Sequence, residues 1–95
     1  MADFRLLKAD SECRFSEVSA LGNQLERAAQ SIALNLAEGR GRNRKADQLR
    51  FFHIALGSLR ECQAILILAN LEDSEVSKTL DSLGAHLYNL IKKAR

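Results

Sequence analysis

The chain has no proline and no tryptophan, and only five glycines and two cysteines in 95 residues. Each scarcity excludes something. Without proline, nothing removes a backbone N–H or clashes with the preceding turn, so long uninterrupted helices are allowed almost everywhere. Three of the five glycines, Gly22, Gly39 and Gly41, fall near expected helix ends. Cys13 and Cys62 are too far apart for a CxxC metal pair and too few for a disulfide framework. Reduced thiols in a cytoplasmic protein are the expectation. The longest apolar run, Ala64 to Ala69, is far short of the ~20 residues that cross a bilayer. The opening Met1–Lys8 has no long apolar stretch of the signal-peptide kind. No membrane partner is expected. A net charge of +2 argues for no polyanion by itself, so the placement of charge must decide.

What is present is helical periodicity, and residues 1–95 read as one domain. Val18, Leu21, Leu25, Ala28, Ala29, Ile32 and Leu36 recur at three- and four-residue steps, the apolar stripe of an amphipathic helix. Ser16 suits its N-cap, and Gly39 its stop. Arg40–Lys45 reads as a short polar connection. A second helix is predicted from Lys45 to about Asn70. One of its stripes is Leu49, Phe52, Leu56, Leu59 and Leu66, and beside it runs Phe51, Ala55, Cys62, Ile65 and Ala69. Its last turns are apolar all round, and two neighbouring helices cannot cover every side, which points to self-association. Leu71–Glu75 is a second turn with Asp73 or Ser74 as cap. Val76, Leu80, Leu83, Leu87, Leu90 and Ile91 then carry a last helix to its end. The first twenty residues predict a short helix near 2–9 followed by a loop.

Short turns make consecutive helices antiparallel. The end of the first long helix, the start of the second and the end of the last therefore share one pole. There lie Arg40, Arg42, Arg44, Lys45, Lys92, Lys93 and Arg95, seven of fourteen basic residues. Glu17, Glu72, Asp73 and Glu75 collect at the other. Helix-end chemistry accounts for part of this, because cations suit C-termini and acids N-termini. It does not account for Arg44 and Lys45, which open a helix. Arg40, Arg42, Arg44, Lys45, Lys92 and Lys93 are thus the candidate nucleic-acid contacts, to phosphate. No aromatic residue alternates with them in sequence, so base stacking is not implied.

Arg27, Ser31, Asn35 and Glu38 form a polar stripe beside the apolar one. Pairing by equal distance from the loop sets Asn35 near Arg50, Ser31 near His53 and Ala28 near Gly57. The expected result is an interhelical polar network of Arg27, Ser31, Asn35, Glu38, Arg50 and Glu61. Its candidate ion pairs are Glu38 with Arg50 and Arg27 with Glu61. Gly57, opposite Ala28 and Ala29, would let two backbones approach. A Ser31–His53 nucleophile–base pair has no acid to orient the histidine and no glycine loop for an oxyanion, so no catalytic residues are assigned. His53 and His86 lie on different helices without an HxxxH or ExxH pair, so no metal and no cofactor is expected.

The stretch Leu21-Gly-Asn-Gln-Leu-Glu-Arg-Ala-Ala-Gln-Ser-Ile-Ala-Leu-Asn-Leu-Ala-Glu-Gly-Arg-Gly-Arg42 carries the pattern QLxRAAxSIxxNxAEGxGR. Leu49-Arg-Phe-Phe-His-Ile-Ala-Leu-Gly-Ser-Leu-Arg-Glu61 carries RFxxIAxGSLxE. Together and in this order they resemble the bacterial four-helix bundle proteins encoded in intervening sequences of 23S ribosomal RNA genes. The resemblance implies an all-α, antiparallel up-and-down four-helix bundle, a ring-like homo-oligomer such as a pentamer, and no enzymatic activity. A related branch serves diversity-generating retroelements as an accessory protein. An alternative role is therefore a protein-interaction adaptor with a reverse transcriptase as partner. The opening departs from the family pattern: Met1 to Ala20 lacks the aspartate-leucine-x-valine-tryptophan signature of a long first helix. A short or incomplete first helix is expected. The leading expectation is a non-catalytic homo-oligomer that binds RNA or another nucleic acid through its basic pole.

Overall fold

With no proline anywhere and no glycine before Gly22, nothing punctuates the N-terminal third of the chain. The backbone from Phe4 to Arg40 is one helix, α1, of 37 residues. Lys45–Leu68 forms α2 and Glu75–Ala94 forms α3. The structure is a computed structural model that describes the backbone of residues 4–95 and the side chains of residues 20–95. The continuous α1 replaces the expected short helix, loop and Ser16 cap. Ser11, Ser16 and Ser19 interrupt the apolar pattern, but each costs a helix at most about 0.7 kcal/mol against alanine. The side chains of Glu17 and Val18, and those of Cys13 and Ser16, lie outside the described residues.

The chain is all-α, with three helices and no strand among the described residues. The expected fourth, shortened helix is not a separate element among them. Helix α2 is central: α1 packs on one side of it and α3 on another, while the described backbones of α1 and α3 do not approach each other. Two apolar clusters hold the layers together. Ala28, Ile32, Leu59, Cys62, Leu66 and Leu80 form one; Phe52, Ala55, Leu87 and Ile91 form the other. Leu36 and Leu56 pack against both. Burying side chains such as Leu59 and Leu87 stabilises the fold by roughly 1.5–3 kcal/mol each. By length and composition α2 could cross a membrane, but its buried residues face α1 and α3.

The turns explain the helix ends. After α2, Asn70 takes a left-handed φ of 58°. The Leu71 N–H then donates to the Leu66 carbonyl at 2.7 Å and the Asn70 N–H to Ile67 at 3.0 Å. This pairing satisfies carbonyls that the helix end would orphan. Ser74 caps α3, its Oγ accepting from the Ser77 N–H at 3.2 Å. Gly39, expected as a stop, lies within α1 and has no positive φ. Its role is close approach, since an added Cβ would meet the Phe52 ring at 2.6 Å.

Gly57 has the opposite surroundings. It is exposed and an added Cβ would touch nothing within 4 Å, so it does not let α1 approach. The pairing of α1 with α2 is shifted from the equal-distance estimate: Ser31 meets Ser58 rather than His53. Helical side chains lean toward their own N-terminus, in opposite directions on antiparallel neighbours, so the contacting pair lies about one turn farther from the loop.

Candidate nucleic-acid interface

The basic residues come together because the helix ends do. Phe52, Ala55, Leu87 and Ile91 form a sealed cluster against which Leu36, Leu49, Leu90 and Ala94 pack. This cluster ties the end of α1, the start of α2 and the end of α3 into one pole. Leu36, Ala37 and Arg40 of α1 share a surface groove with Leu90 of α3. Arg40, Arg42, Arg44, Lys45, Lys92 and Lys93 are all exposed there. Of these six, Arg42 is in an ion pair among the described residues, with Glu38 at 3.2 Å. Arg44 occupies the N-cap position of α2 without a side-chain cap, and Lys45 follows it into the first turn.

The loop is held from both ends. Its start continues α1 as a turn, with the Gly41 N–H donating to the Ala37 carbonyl and the Arg42 N–H to Gly39, each at 3.2 Å. The Gln48 side chain then reaches back and donates from Nε2 to the Arg42 carbonyl at 3.0 Å. Arg42 turns its guanidinium over the Phe51 ring, 5.1 Å from the centroid, and Arg50 lies 5.4 Å from the same centroid. Phe51 and Arg50 thus belong to the basic pole, which the sequence pattern misses. Arg42 and Phe51 are nine positions apart and meet only because the loop folds back. The adjacency of Arg50 to Phe51 is the one linear signal.

The polar stripe is rearranged. Ser31 Oγ and Ser58 Oγ are hydrogen-bonded at 2.7 Å, and Asn35 Nδ2 donates to the Ser31 carbonyl at 2.8 Å and to its Oγ at 3.1 Å. Ser58 is a partner the sequence argument did not name. Glu38 pairs with Arg42, four residues on in the loop that follows α1, in place of Arg50. Arg27 and Glu61 are exposed and form no ion pair with each other. His53 is exposed and Ser31 is engaged by Ser58, so the two are not brought together as base and nucleophile. The Cys62 thiol is buried, and burial together with the neighbouring Glu61 carboxylate pushes its pKa up, which keeps it protonated.

The far pole is built differently. Ile67, Leu68, Leu71 and Val76 are exposed there, Leu68 at 72 %. Val76 was expected in the core stripe of α3, but it lies in the first turn, with no described contact from α1 to cover it. Beside these residues an apolar cleft of about 300 Å³ is lined by Leu21, Gly22, Leu25, Ile65, Leu66, Leu68, Ala69 and Leu71. Glu72, Asp73 and Glu75 are exposed at the same end.

The family model described as 23S rRNA-intervening sequence protein matches residues 4–94. No curated protein and no solved structure matches the chain.

Proposed function

We propose a function from one premise: the chain belongs to the 23S rRNA-intervening sequence protein family. It is a non-catalytic helical scaffold that associates with itself and holds RNA, or another nucleic acid, at its basic pole. The observation that carries this reading is the convergence of three helix ends, which leaves six cations exposed at one pole of a chain whose net charge is only +2. Arg44 and Lys45 sit where the α2 dipole is unfavourable to cations, and an anion bound beside them would relieve that conflict. Phosphate contacts of this kind release counterions and weaken steeply with salt.

Self-association is supported by the far pole, where four large apolar side chains are exposed together. It also offers a route to the four-helix arrangement that the family resemblance implies. Helix α2 contacts both α1 and α3, and among the described residues no helix lies on the side opposite α2. A helix from another copy placed there would complete a bundle.

The nucleic-acid half is tested with Arg44→Glu/Lys45→Glu. Acidic residues suit a helix N-terminus, so folding should be maintained. Fluorescence anisotropy with labelled single-stranded RNA between 50 and 200 mM salt, probe conditions of about the range where such contacts respond, should show a loss of affinity of tenfold or more. The salt slope should flatten by about 1.4, for two lost contacts. Unchanged affinity and slope would overturn the reading.

A further inference from the structure

Phosphate contacts bind any polyanion of suitable shape, so the six cations at the basic pole do not choose between duplex and single strand. The Arg42–Phe51–Arg50 arrangement can. Two guanidinium groups lie 5.1 and 5.4 Å from one ring centroid. Both arginines are exposed, while the Phe51 ring they share is half-buried at the α1–α2 junction. Glu38 holds the Arg42 guanidinium at 3.2 Å, and Gln48 holds the Arg42 backbone at 3.0 Å. Arg42 is thus held at both its side chain and its backbone beside the ring.

We propose that this arginine–phenylalanine–arginine stack is a base-stacking site that selects single-stranded nucleic acid over duplex. The inference rests on the basic-pole reading and adds the form of the ligand. A guanidinium is planar and weakly hydrated, and it stacks on π-systems, whereas a lysine ammonium is a hydrated point charge. An unpaired base offers a free face to an arginine plane or an aromatic edge. In a duplex that face is already stacked on its neighbours. Arg40 and Arg44 flank Arg42 in sequence and are exposed beside it, so the strand's phosphates have partners on either side of the stacked base. Such stacking contributes on the order of tenfold in affinity per base.

The test compares two labelled probes of equal length by anisotropy, an oligoadenylate single strand and an RNA duplex. The wild-type chain should favour the single strand. Arg42→Lys/Arg50→Lys keeps both charges on exposed positions and removes both planes. It should lower single-strand affinity about tenfold and duplex affinity by much less, with the salt slope unchanged because both charges remain. Phe51→Leu keeps apolar bulk at the helix junction, and should act in the same direction. Equal wild-type affinity for the two probes, or equal losses on both in the lysine variant, would overturn the stacking site and leave the basic pole standing. Failure of the wild-type chain to bind either probe would remove both.

Discussion

The two ends of this molecule treat their apolar residues in opposite ways. At the basic pole Phe52, Ala55, Leu87 and Ile91 are sealed, none more than 4 % exposed, and charge lies outside them. At the α2–α3 end Ile67, Leu68, Leu71 and Val76 stay in solvent, beside three acids. One pole seals its apolar side chains within the chain and the other leaves them exposed. At the basic pole residues of α1, α2 and α3 close over the cluster, whereas at the other end an apolar cleft stays open between α1 and the last turns of α2. A surface that works through charge weakens with salt. One that works through apolar burial does not, so the two can be separated by experiment.

The largest effect should come from charging the open pole. Ile67→Glu/Leu68→Glu removes two apolar side chains that would contribute roughly 1.5–3 kcal/mol each if covered by another copy. Light scattering should show the assembled protein shifting to monomer, with apparent dissociation at least a hundredfold easier. Helicity should be unchanged, because both side chains are already exposed in the single chain. A wild-type protein that is monomeric at all concentrations would break the comparison at this end.

Next in size is the sealed pole. Leu87 is fully buried, and Leu87→Ala should destabilise the fold by about 2–5 kcal/mol in denaturant unfolding. Leu71→Ala at the open pole, with its side chain half in solvent, should cost much less in the monomer. Similar losses at the two sites would mean that the exposed pole is already covered in solution.

Much of this contrast was legible in the sequence, and its failures have physical causes. The approximate bounds of α2 and α3, a cap at Asp73 or Ser74 (Ser74 in the structure) and the buried set Phe52, Ala55, Leu59, Cys62, Ile65 and Leu66 follow from period and cap chemistry. The apolar run at Ala64–Ala69 pointed to an uncovered surface, and Ile67 and Leu68 are exposed. Contacts across helices were less legible. The lean of side chains toward each helix N-terminus moves the α1–α2 pairing, so Ser31 finds Ser58, and Glu38 pairs with Arg42 of the loop in place of Arg50. The same difficulty hid the Phe51 stack, because Arg42 reaches that ring only through the fold of the loop. The α1 start was misplaced because a weak apolar pattern reads as a break, while a backbone without proline or glycine has no reason to break there.

The smallest effect distinguishes the poles through two glycines. A Cβ at Gly39 would meet Phe52 ring carbons at 2.6 and 2.8 Å, and Phe52 is buried and cannot swing clear into solvent. Gly39→Ala should therefore cost about 1–3 kcal/mol through overpacking, less the helix-propensity gain. Gly57 is on the open face of α2 with nothing within 4 Å of the same hypothetical atom. Gly57→Ala should stabilise the chain by up to about 1 kcal/mol, since alanine removes the entropy cost of a mid-helix glycine. Thermal unfolding at low protein concentration reads both values. If another copy packs its backbone closely on that face, the added methyl will instead weaken assembly while the monomer is stabilised. Opposite signs in unfolding and in light scattering would then mark the outer face of α2 as part of the self-association surface, continuous with Ile67 and Leu68. Stabilisation with unchanged assembly would confine that surface to the pole.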